Sequence, residues 1–172
     1  ALPSVEASRI AGSSRFDTAA KVARAIAAHE GGAFCGRAFV ARGDIFSDAL
    51  ACSPLAYGLA APVLLVRTDS LPRETADAIE DVGVTDVVIA GGYGAVSAGV
   101  ESSIDSLGGV NAPVRKAGSN RFDTAVTIAS YGVSQGWASW GFVGVATGLN
   151  FPDALGGGAA CGARGGVMLL TH

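Results

Sequence analysis

An internal duplication constrains the fold of this 172-residue chain more than any other feature. The segment Arg9–Ala19 (RIAGSSRFDTA) returns as Arg115–Ala125 (RKAGSNRFDTA), at an offset of 106 residues. Further on, Ala41–Leu50 (ARGDIFSDAL) returns as Ala146–Leu155 (ATGLNFPDAL), at an offset of 105 residues. Two matches of this length in the same order predict two tandem copies of one structural unit.

These matches place the boundaries of the two copies. Residues 9–114 form a complete first repeat, residues 115–172 form a truncated second repeat, and residues 1–8 precede them as an N-terminal extension. The second repeat runs little further than Met168–Leu170, which align with Val63–Leu65 of the first. An incomplete unit leaves an apolar face uncovered, so we expect it to pack on the first repeat or on another chain.

Strands and helices alternate along each copy. In the first copy the expected strands are Ser8–Ala11, Ala38–Ala41, Pro62–Val66 and Asp86–Ala90. The helices that follow them are expected to begin, in order, at Asp17 or Thr18, Ser47 or Asp48, Pro72, and Ser97. The second copy keeps the first three strands, the last of them at Val167–Leu170. This alternation predicts an α/β fold with a parallel sheet and helices on both of its faces.

Composition agrees with that fold and argues against several classes of protein. Hydrophobic residues make up 49% of the chain, charged residues 16%, and glycine occurs 25 times, which suits buried parallel strands under closely packed helices. The formal net charge of −3 and the lack of a Lys/Arg cluster argue against a nucleic-acid partner. Proline, glycine and polar residues interrupt the uncharged stretches 49–66 and 124–152, so neither predicts a transmembrane segment.

Metal-ligating residues are few. The chain has three cysteines and two histidines, at Cys35, Cys52, Cys161, His29 and His172. Their spacing follows no zinc pattern, so we expect no metal and no cofactor, and we interpret the cysteines as buried small hydrophobic residues. Residues 1–12 carry Glu6 where a signal peptide would have an apolar stretch.

The recurring loop-to-helix segment is the first candidate site. Both copies place Arg, Asp and Thr where a helix begins, at Arg15, Asp17, Thr18, Arg121, Asp123 and Thr124. A helix N-terminus presents free backbone N–H groups, and a nearby arginine adds positive charge, so this segment can hold an anion such as phosphate. The structural alternative is that the Asp caps the helix, the Arg pairs with a carboxylate and the Phe packs beneath. Both interpretations can hold at once.

A second recurring acid, Asp48 in one copy and Asp153 in the other, follows the next strand. A catalytic interpretation makes these residues general acids or metal ligands at the carboxyl edge of the sheet. No His, Glu or Cys recurs beside them, and Leu149 stands where the first copy has Asp44, so we interpret them as structural helix caps. The Gly91–Gly94 turn lacks the spacing of a nucleotide-binding loop. No nucleophile elbow occurs either, and we expect no enzyme activity.

Together these segments resemble the cell wall binding repeat 2 family. The resemblance rests on the Gly-x-x-Arg-Phe-Asp-Thr-Ala opening, the Phe-x-Asp-Ala-Leu helix start, Ala61–Leu65, Val88–Gly92 and Ala95–Ser97. The elements occur in the family's order and cover essentially the whole chain. The second copy departs from the family at Val167–Leu170, which lacks the proline.

The resemblance implies a non-catalytic, extracellular module at the cell wall or S-layer of a Gram-positive bacterium. Such a module anchors a secreted protein by binding an anionic secondary cell-wall polymer. The implied fold is Toprim-like or flavodoxin-like, with three copies around a pseudo-threefold axis, so the implied partners are neighbouring repeats or copies of this chain. The Arg, Asp and Thr residues of the loop-to-helix segments become polymer-binding candidates, together with Pro62–Leu65. With about one and a half copies, the sequence is either a fragment or one of several chains that assemble.

Two other functions stay open beside this one. The first is a small-molecule or nucleotide-binding α/β enzyme domain that uses Asp48, Asp153 and the Gly91–Gly94 turn. The second is a structural scaffold whose repeats serve assembly or spacing alone. For the polymer-binding function, the binding surface lies either within one repeat or between two.

Overall fold

A computed structural model describes residues 7–172, so residues 1–6 of the expected N-terminal extension lie outside the described part. Within that part, helices and strands alternate as the sequence predicts, with one 3-10 turn at Gly31–Ala33. The elements are α1 (Arg15–Glu30), β1 (Arg37–Arg42), α2 (Ser47–Gly58), β2 (Val63–Val66), α3 (Arg73–Asp81), β3 (Asp86–Ala90), α4 (Ala98–Asp105), β4 (Val114–Lys116), α5 (Arg121–Ser134), β5 (Val143–Thr147), α6 (Pro152–Gly162) and β6 (Val167–Thr171). Among these helices, none has the length and apolar character that crossing a membrane requires.

The strands form two parallel sheets. The larger has the order β2-β1-β3-β4, and the smaller consists of β5 and β6. In the larger sheet Phe39 of β1 lies opposite both Val63 of β2 and Val88 of β3. Because all strands run the same way, their carboxyl ends meet at one edge, where open α/β folds bind ligands.

The expected strand at Ser8–Ala11 is wrong, because these residues form neither strand nor helix. Their counterpart in the second repeat is β4, which is a strand because it pairs with β3 of the first repeat, with Val114 opposite Val88. Along the described chain, no earlier repeat offers Ser8–Ala11 an equivalent neighbour. The strand at the start of the second repeat is thus completed by the first repeat.

Helices cover both faces of the larger sheet. Ala38 and Val40 pack into a cluster with α1, α3 and α4, whereas Phe39 and Ala41 pack into a cluster with α2, α5 and α6. Successive side chains of a strand point to opposite faces, which accounts for this alternation. The second cluster draws on both repeats, so the second repeat packs on the first, as we expected from its incompleteness.

The contact between the repeats depends on close approach of helices. Gly132 of α5 faces Leu55 of α2, and an added Cβ at Gly132 would collide with that leucine. An added Cβ at Gly162 of α6 would likewise collide with α2, at 2.6 Å from the Tyr57 Cβ and 2.8 Å from the carbonyl oxygen of Pro54. The glycines of the second repeat thus give α2 of the first repeat its packing surface.

Candidate functional site

The loop-to-helix segments adopt the same structure in both repeats, and their helices begin earlier than we predicted. Ser14 caps α1 by accepting a hydrogen bond from the Asp17 backbone N–H, at 3.1 Å. Asn120 caps α5 by accepting from the backbone N–H groups of Phe122 and Asp123, each at 2.9 Å. Neither Asp17 nor Thr18 is the cap, because the residue before the arginine already has the extended backbone and the acceptor that a cap requires.

Asp and Thr of these segments hold the preceding loop. The hydroxyl oxygens of Thr18 and Thr124 accept from the backbone N–H of Gly12 and Gly118, each at 3.0 Å. Asp17 accepts from the backbone N–H of Ser13 at 2.8 Å. That hydrogen bond is the main reason why the pKa of Asp17 is lowered.

Asp123 has the same position in the second repeat. Its carboxylate accepts from the side chains of Ser119 and Asn120. Both acids therefore have partners in the loop that precedes their helix.

The arginines of the two segments tie one loop to the next. The guanidinium of Arg15 donates to the carbonyl oxygen of Gly43 at 2.5 Å, and Arg121 donates to Gly148 at 2.6 Å. The structural alternative therefore needs correction, because each arginine is bound to a carbonyl oxygen and not to a carboxylate. The phenylalanine beside each arginine packs on the same glycine, as that alternative expected.

Asp48 and Asp153 are not helix caps, which corrects that prediction. Each is the second residue of its helix, and Phe46 and Phe151 occupy the cap positions without a side-chain hydrogen bond. An acid in the first turn still interacts favourably with the positive end of the helix dipole. The two acids differ in burial, since Asp48 is only 8% exposed and Asp153 lies on the surface.

A polar cleft of about 300 Å³ opens where the two repeats meet, at the carboxyl edge of the larger sheet. We call it the inter-repeat cleft. It is lined by the end of β1, the first turn of α2, the turn after β3 and the start of α5, through Arg42, Ile45, Ser47, Asp48, Gly91, Gly92, Gly94, Ala95, Gly118, Ser119, Asn120, Arg121 and Thr124. The first repeat supplies one wall and the second repeat supplies the other.

The charged residues that line this cleft are Arg42, Asp48 and Arg121. Arg42 holds Asp44 through two hydrogen bonds of 2.7 and 2.6 Å, and this contact lowers the pKa of Asp44 to about 2. Burial raises the pKa of Asp48, although the positive charges of Arg121 and Arg42 oppose the shift. The first turns of α2 and α5 both face the cleft, so two positive helix ends converge there.

Backbone geometry brings Asp48 against the turn after β3. Gly91 has a φ of 105°, and an added Cβ there would lie 2.6 Å from a carboxylate oxygen of Asp48. Only glycine allows this conformation and this approach without strain. The Gly91–Gly94 turn therefore allows close packing, and the side chain it accommodates is this buried acid.

Three of the six polymer-binding candidates line one of two separate spaces. Arg121 and Thr124 line the inter-repeat cleft. Arg15 lies instead in a depression of about 400 Å³ beside Phe16, Asp44 and Arg67. The other three candidates, Asp17, Thr18 and Asp123, line neither of these spaces.

A third space is an open apolar groove of about 550 Å³ between α1 and α2. Ile10, Val22, Ile26, Ala56 and Tyr57 are among its lining residues. We call it the α1–α2 groove. Its α1 side corresponds by repeat offset to the face of α5 that packs on the first repeat.

Metal-ligating groups are dispersed over the part of the chain that the structure describes. Residues 7–172 contain no group of three or more His, Cys, Asp and Glu side chains that a metal ion could share. The three cysteines are free thiols, and burial raises the pKa of Cys52. Cys52 and Cys161 are buried as we predicted, and Cys35 is half-buried.

Sequence reasoning missed Arg42 and the part that Gly118 plays in the cleft, although it named the Gly91–Gly94 turn. Arg42 lies within the matched segment Ala41–Leu50, but its counterpart is Thr147, so it carries no repeat signal. The cleft itself requires knowledge of how the repeats pack. The one available signal was the recurrence of glycine before each Arg-Phe-Asp-Thr segment, at Gly12 and Gly118.

The fold shows a repeat protein with a polar cleft at the junction of its two units. The model of the family Cell wall binding domain 2 matches residues 9–101 and 115–172. The chain belongs to this family.

Two curated relatives come from Bacillus subtilis (strain 168). The N-acetylmuramoyl-L-alanine amidase LytC is 32% identical over 164 residues, which is 95% of this chain and 30% of the relative. The amidase enhancer is also 32% identical over 164 residues, covering 95% of this chain and 21% of the relative. The chain therefore spans less than a third of either protein.

Two solved structures from Clostridium difficile have the same fold. Cwp8 aligns with a TM-score of 0.76 and 29% identity, over 94% of this chain and 27% of Cwp8. Cwp6 aligns with a TM-score of 0.79 over all of this chain and 27% of Cwp6. At 24% identity the Cwp6 alignment shows the fold alone.

Proposed function

We propose that this cell-wall-binding module holds an anionic wall polymer in the inter-repeat cleft and attaches a larger protein to the outside of the cell. The observation that carries the proposal is the convergence of Arg121 and two helix N-termini on one cleft, beside Arg42, which is paired with Asp44. The match to a cell-wall-binding family supplies the class of ligand. The net charge of −3 gives no general attraction to polyanions, nucleic acids included, so the attraction must be local.

The polymer-binding role falls mainly on Arg121, with Thr124 and Asn120 shaping the wall around it. Arg121 uses one guanidinium nitrogen on Gly148 and lines the cleft with the rest of its side chain. Asp17, Thr18 and Asp123 act indirectly, since their oxygens hold the loops in place. Arg15 and Arg67 line a second depression on the first repeat, together with the carboxylate of Asp44.

We further propose that the module catalyses no reaction. The cleft contains one buried carboxylate, Asp48, and its lining includes no histidine, cysteine or lysine. Asp153, the counterpart of Asp48, lies on the surface and outside this cleft. The enzyme alternative predicts that Mg²⁺ or a nucleotide raises the melting temperature of the chain, and a flat response across a nucleotide panel speaks against it.

Binding to purified anionic wall polymer from a Gram-positive bacterium, measured over a salt series, tests the proposed site. Arg121→Ala should weaken binding by about tenfold or more, because hydrogen bonds to charged groups contribute about 1.5–3 kcal/mol. It should also reduce the salt dependence. Arg73→Ala is the matched control, since Arg73 is 91% exposed on α3 and lies outside the cleft.

A second variant makes this test independent of damage to the fold. Asp48→Asn removes the negative charge from the cleft and should strengthen polymer binding, because the anionic ligand no longer faces a carboxylate. If Arg121→Ala binds the polymer as tightly as the wild type, and Asp48→Asn changes nothing, the cleft is not the binding site.

We also infer that the exposed faces at the two ends of the molecule accept further repeats. By the repeat offsets, Ile26 corresponds to Gly132 and Ala160 corresponds to Leu55. Inside the chain the large Leu55 packs on Gly132, whereas at the ends the large Ile26 lines the α1–α2 groove and the small Ala160 is exposed. At the ends, the large residue (Ile26) is on the first helix and the small one (Ala160) is on the second helix, the reverse of the Leu55–Gly132 contact. The two end faces can therefore fit each other, which supports a trimer-like arrangement of repeats or copies of the chain.

Disulfide cross-linking tests this arrangement directly. A chain that carries Ile26→Cys together with Ala160→Cys should form intermolecular disulfides under mild oxidation. Each single variant is the control, because neither can form that pair. Cross-linking of the double variant no greater than that of the single variants would contradict the inference.

A further inference from the structure

Tyr93 is an exposed aromatic side chain held in one orientation. Tyr93 is 62% exposed, and the guanidinium of Arg115 lies 4.3 Å from its ring centroid. Arg115 is itself fixed, because it donates to the carbonyl oxygen of Gly91 at 2.8 Å and to Glu101 at 3.0 Å. The arginine side chain is 12% exposed, so the cation–π contact is partly shielded from water. The ring is therefore preorganised and remains accessible to a ligand.

The position of Tyr93 connects two spaces. Its chain neighbours Gly92 and Gly94 line the inter-repeat cleft, whereas Tyr93 lines an adjacent depression of about 380 Å³. We call this depression the Tyr93 pocket. Its volume lies within the range of small-ligand sites. A linear polymer that occupies the cleft can continue over the Gly91–Gly94 turn and into the pocket.

The chemistry of the Tyr93 pocket differs from that of the cleft. Pro113 supplies apolar surface, Glu101 is neutralised by Arg115, and Ser102 and Asp105 add exposed hydrogen-bonding groups. An aromatic face beside carboxylate and hydroxyl acceptors suits a sugar ring, whose C–H groups pack on the aromatic face while its hydroxyls donate hydrogen bonds. The exposed Asp105 disfavours a negatively charged group in this pocket.

We propose that Tyr93 is a stacking platform for an uncharged sugar of the polymer whose anionic group occupies the inter-repeat cleft. The inference rests on the proposed function and adds the class of ligand, a glycan in which uncharged sugars adjoin anionic groups. Tyr93 determines specificity for the sugar, while Arg121 binds the anion.

Two probes separate the two roles. One is purified anionic wall glycan, and the other is inorganic polyphosphate, which carries charge without sugars. Tyr93→Ala should weaken binding of the glycan about 3- to 10-fold and leave polyphosphate binding and the salt dependence unchanged. Arg121→Ala should weaken binding of both probes. Trp140→Ala is the control, since Trp140 is another exposed aromatic residue and lines neither space.

Tyr93→Phe keeps the ring and should retain glycan binding. Unchanged glycan affinity in Tyr93→Ala, or an equal loss for glycan and polyphosphate, would overturn the stacking role. A loss in Tyr93→Phe as large as that in Tyr93→Ala would assign the effect to the hydroxyl and would also overturn it. If neither probe binds the wild type, the proposed function itself fails. This outcome differs from every outcome that overturns only the stacking role of Tyr93.

Discussion

The two repeats have nearly the same sequence at the start of their second helix and very different surroundings there. Leu50 is 6% exposed and its counterpart Leu155 is 57% exposed, although both follow the same Phe-x-Asp-Ala pattern. Asp48 is buried in the inter-repeat cleft, whereas Asp153 lies on the surface. The local sequence thus specifies the helix, and the neighbouring elements decide what the helix buries.

The same comparison holds for the first helix of each repeat. Val22 of α1 is 37% exposed in the α1–α2 groove, whereas its counterpart Ile128 of α5 is fully buried against the first repeat. Each repeat therefore completes the core of its neighbour. The inter-repeat cleft follows from the same principle, since its two walls belong to different repeats.

Truncation of the paired leucines should give the largest difference between the repeats. Leu50→Ala should lower the free energy of unfolding by about 3 kcal/mol, because it leaves a cavity in the shared core. Leu155→Ala should change it by less than about 0.5 kcal/mol, since exposed substitutions rarely do more. Urea denaturation measures both values. Equal losses would mean that Leu155 is buried in solution, for instance by association of chains.

Two glycines of α6 offer a contrast of intermediate size. Gly162→Ala should destabilise the chain by about 1–3 kcal/mol, because the new Cβ would lie 2.8 Å from the Pro54 carbonyl oxygen on α2. Gly156→Ala should stabilise it by up to about 1 kcal/mol, since the position is open and alanine favours helix. Thermal melts of the two variants check the signs. A stabilising Gly162→Ala would contradict the close contact between α2 and α6.

The smallest expected difference is between the paired acids Asp48 and Asp153, and it concerns how the free energy of unfolding depends on pH. Because the pKa of Asp48 is raised by burial, the folded protein binds its proton more tightly than the unfolded chain does. Stability contributed by this group is therefore lost as pH rises above the ordinary carboxyl pKa. Asp48→Asn should gain stability relative to the wild type between pH 3 and pH 7.

The control for this pH effect is Asp153→Asn, because Asp153 lies on the surface. Its stability relative to the wild type should stay flat over the same pH range in urea denaturation. An advantage of Asp48→Asn that shrinks towards pH 7 would mean that Arg42 and Arg121 outweigh the burial of the carboxylate.

Much of the fold was predictable because it depends on local patterns. The strands β1, β2, β3 and β6 lie where apolar runs and turn residues placed them, and Ser97 caps α4 as predicted. Ser8–Ala11 was wrong because a strand depends on its neighbour, and the sequence match with β4 carries no information about that neighbour.

The candidate site was only partly predictable for the same reason. Arg121 was found through the repeated motif, but its counterpart Arg15 lies in a different depression. The two arginines have the same local contacts, so the difference comes from what faces them across the repeat boundary. Asp48 was expected to cap its helix, and its burial against Gly91 depends on a turn that is 43 residues further along the chain.

The central claim is that the polymer binds between the repeats, and backbone amide shifts in an NMR titration with purified wall glycan test it most directly. The account predicts that the largest shifts occur at Gly91, Gly92, Gly118 and Arg121, on both walls of the inter-repeat cleft. Shifts confined to one repeat, or centred on the α1–α2 groove around Ile26, would contradict it.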